Sequence, residues 1–230
     1  MDINHLISEL GIWSLGSFTI IDLIAASTNA FNGALLARLP SHYRNYTKMG
    51  IVLLAVIGGI GGGVMRDIIL NDVPSAFINP WYLIFSTLMG IIALTIHYYS
   101  EMKFQKGLFK YMTAFSLPWY AVVGADKALG AGLPVVACIA IGVIGPTAGR
   151  YFIDIISGVT PQHFVKGEWF VGTAILASII YIILYKAGLS LYPATAITVF
   201  IAFGFRLAAL HFKWEEPEPS EPAAVKPENK

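Results

Sequence analysis

A glycine-rich run beside an arginine–aspartate pair constrains this chain more than any other feature. Residues 57–67 read IGGIGGGVMRD and lie in an apolar stretch, Met49–Leu70, that is long enough to cross a bilayer. Each glycine weakens a helix by up to about 1 kcal/mol relative to alanine, and charged side chains are costly in hydrocarbon unless they face each other, another helix or water. The stretch predicts a hydrated, functional interruption of a transmembrane helix. The structural alternative is that the glycines allow close helix packing and that Arg66 and Asp67 form a pair.

The composition is that of an integral membrane protein, with 56% hydrophobic and 13% charged residues, whereas soluble domains carry about 25% charged residues. A net charge of +1 without a basic run excludes a nucleic-acid partner. A single cysteine, Cys138, excludes a disulfide framework and a thiolate metal cluster, and we expect no cofactor. Hydropathy predicts seven spans, at about 16–39, 49–70, 81–99, 111–129, 135–157, 169–187 and 192–212.

Lysine and arginine concentrate in the odd-numbered connectors and at the C-terminus, which predicts a cell-membrane protein with its N-terminus outside and its C-terminus in the cytoplasm. The predicted organisation is an extracytoplasmic N-terminus (1–15), a three-helix repeat (16–100), a basic cytoplasmic connector (101–110), a second three-helix repeat (111–187), a seventh helix (188–213) and a disordered cytoplasmic tail (214–230).

Similar segments recur in spans one to three and four to six. Asp67 and Pro74, seven residues apart, recur as Asp154 and Pro161. Each unit holds three spans, an odd number, so the second copy must be upside down in the membrane. The predicted fold class is therefore an all-α integral membrane protein with an inverted 3+3 repeat plus one helix. Its second and fifth helices would be kinked at glycine and proline and would face each other. Chance matching between apolar segments is the alternative.

The candidate ion-pathway residues are the polar side chains and helix-breaking residues of these spans: Gly61, Gly62, Gly63, Arg66, Asp67, Lys127, Gly145, Pro146, Gly149, Arg150 and Asp154. Arg150 and Asp154 are four residues apart, so they share a helix face and either pair or line a pore. Asp67 and Asp154 would flank one pathway from opposite sides. Lys127 could line the pathway or extend to the lipid headgroups. Arg206 is expected to extend to the headgroups. The five histidines fall at loops or span ends and are expected mostly at the membrane interfaces.

Enzymatic motifs are missing from the sequence. It contains neither H-E-x-x-H nor G-x-S-x-G, and the glycine run does not complete the dinucleotide-binding pattern G-x-G-x-x-G. An aspartyl protease pair of Asp67 and Asp154 is disfavoured because each has an arginine within four residues, which would hold both carboxylates ionised. We expect no enzymatic activity.

The string GGGVMRDIIL at 61–70, followed by Val73-Pro74 and Trp81-Tyr82, resembles the prokaryotic branch of the trimeric intracellular cation (TRIC) channel family. Bacterial relatives with this repeat are also described as glycine transporters. The resemblance implies a homotrimer with one pore per subunit between the kinked second and fifth helices. It also implies permeation by potassium and other monovalent cations, including sodium.

The chain departs from the pattern of this family at two places. In the second repeat, Ala148, Gly149 and Arg150 stand in place of a glycine triplet, and Ile153 replaces the arginine. The K-E-V string of animal members, tied to lipid regulation, is replaced by residues 126–128, which read DKA, so inositol-lipid regulation is not implied. A general attraction for anionic headgroups is predicted at Lys103, Lys106 and Lys110.

Three function classes remain open from the sequence. The first is a passive cation pore with one pathway per subunit, in which Asp67 and Asp154 bias the selectivity. The second is a secondary transporter of a small zwitterion such as glycine, in which Arg66 or Arg150 binds the carboxylate. The third is a membrane protein with a structural or lipid-binding role and no transport.

Overall fold

The computed structural model describes residues 17–96, 102–164, 167 and 169–215. Its long elements are all helical. They are α1 (Ser17–Arg38), α2 (Lys48–Ile69), α3 (Trp81–Thr95), α4 (Met102–Gly130), α5 (Val135–Ile156), α6 (Val171–Lys186) and α7 (Leu191–His211). A single helical turn, Ser75–Ile78, precedes α3, and a 3-10 turn, Gln162–Phe164, follows α5.

These helices follow the predicted spans, with one clear difference. Helix α4 begins at Met102 and not near Tyr111, so most of the predicted connector 101–110 is helical. The predicted N-terminal segment 1–15 and residues 216–230 of the predicted tail lie outside the described residues. The first two tail residues are described: Trp214 stacks on Phe212, and the Trp169 indole donates a hydrogen bond to the Glu215 carbonyl.

The protein is a multi-pass membrane protein. Within the described residues, α1, α2, α5 and α7 are each long and apolar enough to cross a membrane, and α3 and α6 are shorter apolar helices. Helix α4 is longer but carries Pro118 in its interior and a basic first half. The fold class is therefore confirmed as all-α and membrane-spanning, whereas seven crossings and the orientation of the termini stay predictions.

The helices form two groups of three with matching contacts. Within the first group α1, α2 and α3 all pack on one another, as do α4, α5 and α6 within the second. The groups meet through α1 against α4 and α2 against α5, while α7 packs on α4 and α6. The central four helices are thus α1, α2, α4 and α5, and any pathway through the subunit interior must run along them.

The ends of α2 and α5 repeat each other in detail. In α2, the amide of Asp72 donates to the carbonyl of Asp67 across Asn71, whose φ of 59° is left-handed. In α5, the amide of Val159 donates to the carbonyl of Asp154 across Gly158, whose φ is 63°. Both are helix C-terminal motifs closed by a left-handed residue. The two aspartates that the sequence predicts as repeat mates therefore occupy the same position in the same local structure.

Helices α2 and α5 cross at glycines. A side chain at Gly62 would collide with the carbonyl oxygen of Gly145, and a Cβ on Gly149 would lie 2.6 Å from the carbonyl oxygen of Gly58. Because increasing numbers on α2 meet decreasing numbers on α5, the helices run antiparallel. The backbones touch because no Cβ separates them, which is the packing that small residues permit between membrane helices.

This packing corrects the prediction of broken helices. Both α2 and α5 continue as α-helix through the glycines and through Pro146, so the freed main chain expected at Gly61, Gly62, Gly63 and Gly145 is not present. Proline still lacks an amide hydrogen, so the carbonyl of Gly142 loses its helical donor. A kink in α2 or α5 at the glycines or at Pro146, without a break in the helix, stays a prediction.

The crossing generates a stability prediction. Gly62→Ala should destabilise the protein by about 1–3 kcal/mol through overpacking against Gly145. Gly63→Ala is the matched control, because its Cβ would meet only the Arg66 side chain, at 3.6 Å. That variant should be neutral or slightly stabilising through helix propensity. The unfolding midpoints of the purified variants in detergent test this, and equal midpoints would contradict the packing role of Gly62.

Candidate functional site

The side chain of Arg66 is the centre of a buried ion-pair network at the C-terminal end of α2. Its Nε lies 2.8 Å from Oδ1 of Asp67, and its guanidinium lies 3.2 Å from Oδ2 of Asp22 on α1. All three side chains are 1–2% exposed. A buried guanidinium is tolerated at such a place because two carboxylates surround it.

Further groups complete this network. Lys127 of α4 places Nζ 2.8 Å from Oδ1 of Asp67 and also 2.8 Å from the hydroxyl of Ser75. The backbone amide of Ser75 donates to the other Asp67 oxygen at 2.9 Å. The hydroxyl of Tyr82 donates to Asp22 at 2.9 Å. The network of Asp22, Arg66, Asp67, Ser75, Tyr82 and Lys127, called here the Arg66 network, holds two acidic and two basic side chains and is balanced in charge.

A second network lies at the opposite end of the α2–α5 pair. Oδ1 of Asp154, which is fully buried, lies within hydrogen-bond distance, 2.8 Å, of Nε2 of His42, which is 2% exposed. The other ring nitrogen of His42 lies 2.8 Å from the hydroxyl of Ser41. Nε of Arg150 is 3.8 Å from the second Asp154 oxygen. The predicted pairing of Arg150 with Asp154 is thus present as a long contact, and His42 is the closer partner.

Beside this second network lies a cavity of about 360 Å³, called here the inner cavity. It opens near Ser41 and Lys110, which are exposed. Arg150 and Arg206 are among its polar lining residues. A smaller cavity of about 30 Å³ shares several of its lining residues and extends inward to Asn32, Gly58 and Pro146, next to the glycine crossing.

Tyr120 of α4 closes the region between the two ends. Its hydroxyl donates a hydrogen bond to the carbonyl of Gly59, and its main chain lies beside Gly145. The subunit interior therefore has a charge-balanced network at one end, an open cavity at the other, and a crossing filled by backbone and one tyrosine between them.

The structure groups the predicted site residues into three sets. Arg66, Asp67 and Lys127 meet in the Arg66 network. Gly61, Gly62, Gly145, Pro146 and Gly149 are buried around the crossing, and Gly63, next to them in sequence, meets only the Arg66 side chain. Arg150 and Asp154 belong to the opposite end. Asp67 and Asp154 each lie near the C-terminal end of their own helix, and because α2 and α5 are antiparallel they lie at opposite ends of the helix pair.

One expectation from the sequence is wrong. Arg206 does not extend to the headgroups: it is only 4% exposed and lines the inner cavity. The contact of the buried His42 with Asp154 was not predicted. The sequence also did not predict the hydrogen bonds of Tyr82 and Tyr120, because a tyrosine in an apolar span carries no signal of which distant oxygen it will reach.

Comparison with known proteins identifies the family. A family model described as "Glycine transporter" matches residues 19–98 and 110–186. The chain belongs to this family. A UPF0126 inner membrane protein of Escherichia coli K12, YadS, is 21% identical over 86% of this chain and 93% of its own length. A membrane protein of Vibrio cholerae is 26% identical over 86% of this chain and 81% of its own length.

Solved structures with the same fold are TRIC channels. One, from work on conductance through TRIC cation channels, is 23% identical with a TM-score of 0.77 over 90% of this chain and all of the other chain. The TRIC orthologue from Rhodobacter sphaeroides is 25% identical with a TM-score of 0.75 over 85% of this chain and 98% of its own. The resemblance to prokaryotic TRIC channels is therefore confirmed, and this member of the glycine transporter family has the TRIC fold.

The Arg66 network generates a prediction about stability. Asp22→Asn removes one of the two carboxylates around a buried guanidinium and should cost about 3–5 kcal/mol. Tyr82→Phe removes only a neutral donor to the same Asp22 oxygen and should cost about 1 kcal/mol. The free energy of unfolding in mixed micelles measures both, and similar losses in the two variants would show that Asp22 does not compensate the charge of Arg66.

Proposed function

We propose that the protein is a monovalent cation channel, with potassium the expected ion and one conduction path in each subunit along the α2–α5 pair. The observation that supports this most is the placement of buried polar groups at both ends of a single glycine crossing. The Arg66 network lies at one end and the inner cavity at the other, within a fold shared with TRIC cation channels. A polar route that is interrupted only over the short length of the glycine crossing is consistent with a gated pathway.

The route is closed in this conformation. The backbones of Gly58 and Gly62 contact α5, and the Tyr120 hydroxyl donates a hydrogen bond to the Gly59 carbonyl. Conduction therefore requires α2 and α5 to separate or rotate, and not an existing break in either helix. Glycine contacts suit such a motion because they interlock no side chains, and the Tyr120 hydrogen bond opposes it.

The assembly and orientation belong to the same proposal. By resemblance to TRIC channels we expect a homotrimer, an outside N-terminus, a cytoplasmic C-terminus and seven crossings. The Arg66 network would then face the outside and the inner cavity the cytoplasm. Headgroup attraction would involve Lys110, which is exposed, while the side chains of Lys103 and Lys106 lie outside the described residues. We expect neither enzymatic activity nor a bound cofactor.

A carrier for a small zwitterion such as glycine is the second candidate. Arg150 and Arg206 line the inner cavity, and guanidinium groups bind carboxylates. Oδ1 of Asn32, in the smaller cavity, is buried without a hydrogen-bond partner and could accept from an ammonium group. The family's description as a glycine transporter favours testing this function directly.

Transport assays on purified protein separate the two functions. In a planar bilayer with potassium chloride, a channel gives discrete, ohmic current steps whose reversal potential follows the potassium gradient. In proteoliposomes, a carrier gives saturable uptake of labelled glycine without such steps. Protein that gives neither signal, in preparations whose folding is verified, would contradict both proposals and favour a structural role.

The closing hydrogen bond gives a test of the gate. Tyr120→Phe removes the donor to the Gly59 carbonyl, and loss of about 1 kcal/mol from the closed state should raise the closed-to-open equilibrium constant about fivefold. Tyr111→Phe is the matched control, because Tyr111 lies on the same helix and is 61% exposed. Open probability in single-channel records measures the effect. An open probability that changes equally in both variants would contradict a gating role for Tyr120.

A further inference from the structure

Glycine contacts define which residues of the two repeats correspond. A Cβ on Gly33 of α1 would lie 3.0 Å from the carbonyl oxygen of Leu54 on α2, and a Cβ on Gly124 of α4 would lie 2.7 Å from that of Ile141 on α5. From Leu54 and from Ile141, the distance along the chain to the repeat-related aspartate is the same, thirteen residues. Helices α1 and α4 are therefore equivalent in one register, and α2 and α5 in another.

In these registers the smaller cavity corresponds to the place where the first repeat buries an ion pair. Asp22 of α1 is equivalent to Thr113 of α4, and Arg66 of α2 is equivalent to Ile153 of α5. The guanidinium of Arg66 lies 3.2 Å from Asp22, whereas Thr113 and Ile153 both line the smaller cavity. An isoleucine side chain is shorter than that of arginine and carries no charge. The cation that fills this position in the first repeat therefore has no counterpart at the same position in the second.

Asn32, Thr113 and Ser116 present neutral oxygen atoms at this cavity. Asn32 and Thr113 are only 6% and 7% exposed, and neither Oδ1 of Asn32 nor Oγ1 of Thr113 has a hydrogen-bond partner. The Ser116 hydroxyl donates to the Thr113 carbonyl at 3.4 Å, so it accepts the 3.1 Å hydrogen bond from Nδ2 of Asn32. This directs Oδ1 of Asn32 away from Ser116 and leaves it as an acceptor. Buried oxygen atoms without a partner are costly, and a cation would satisfy them.

We infer that the smaller cavity binds a partly dehydrated monovalent cation through Oδ1 of Asn32, Oγ1 of Thr113 and Oγ of Ser116. Oxygen atoms are the ligands that hard cations prefer, and neutral oxygen atoms replace the water around potassium in selectivity filters. The lining residues, all within the described part of the chain, include no carboxylate, and divalent-cation sites use carboxylates. The volume of about 30 Å³ has room for an ion and a water, because about 10–15 Å³ is enough for one water.

Fixed charges near the site weaken its affinity for a cation. Thr113 and Arg150 line both the smaller and the inner cavity, so the two cavities adjoin at these residues. The positive charge of Arg150 opposes a cation, and the contact of Arg150 with Asp154, at 3.8 Å, reduces this opposition. His42 lies beside the other Asp154 oxygen. A weak site suits a conducted ion, which must leave again.

The role of this site in conduction rests on the proposed channel. Gly58 and Pro146 line the same cavity, so a bound ion lies next to the closed glycine crossing. An ion held there has already exchanged part of its water for protein oxygen atoms. The oxygen atoms of Asn32, Thr113 and Ser116 would then influence the preference between potassium and sodium.

Binding is tested on the full-length protein in a neutral detergent. The unfolding midpoint is followed as potassium chloride replaces N-methyl-D-glucamine chloride at constant ionic strength, and a second series with sodium chloride measures the preference. Wild type should show a saturable rise with potassium. Thr113→Val removes one oxygen ligand and should raise the apparent Kd about fivefold. Thr147→Val is the matched control, because the Thr147 hydroxyl bonds to the Val143 and Ile144 carbonyls of its own helix and Thr147 is not a lining residue.

Three outcomes would overturn the inference. The first is a wild type without a saturable rise, and the second is the same apparent Kd in Thr113→Val and Thr147→Val, because water alone would then satisfy the oxygen atoms. The third is a rise with glycine and not with potassium, which would assign Asn32 to the ammonium group of the second candidate function. If Thr113→Val does not fold, Ser116→Ala decides in its place.

Bilayer currents separate this site from the channel proposal. Potassium binding that Thr113→Val weakens, in a wild type that carries no potassium current, would leave the site standing and reject the channel. Potassium currents whose potassium-to-sodium permeability ratio is unchanged in Thr113→Val, together with unchanged binding, would keep the channel and reject the site.

Discussion

The contact between glycine backbones of α2 and α5 is the constraint on which the rest of the structure depends. Because Gly58 and Gly62 carry no side chains, the two helices meet at Gly149 and Gly145 with their main chains in contact. The crossing is filled by main chain, and it separates the described interior into two ends. The antiparallel crossing also fixes the two repeat-related aspartates, Asp67 and Asp154, at those opposite ends.

The two ends then differ in chemistry although their backbones match. Asp67 is held by two permanent cations, Arg66 and Lys127, in a network that is filled and neutral. Asp154 is held by His42, with Arg150 farther away. A cavity of about 360 Å³ lies beside this second end. At the position equivalent to Arg66 the second repeat has Ile153, and its arginine, Arg150, lies about one helical turn earlier.

The sequence predicts the helices, their membrane character and the importance of Arg66, Asp67, Arg150 and Asp154, because hydropathy and charge within apolar spans are local signals. The role of the glycine run was not predictable in the same way. A glycine cluster suits a broken helix as well as a close crossing, and the choice depends on whether a second small-residue surface lies opposite. The partners of His42 and Arg206 depend likewise on contacts between distant helices, which spacing along one helix does not reveal.

The same geometry explains why one fold can be described both as a channel and as a glycine transporter. A guanidinium-lined cavity open at one end and a sealed network at the other could belong to a carrier that exposes its site alternately, or to a channel closed at one gate. The difference is whether the Gly59–Tyr120 contact and the Arg66 network open together. The first contact joins α2 to α4, and the network also joins these two helices, through Asp67 and Lys127, besides tying α2 to α1 through Asp22. A movement of α2 away from α4 would therefore break the Gly59–Tyr120 hydrogen bond and the Asp67–Lys127 pair together.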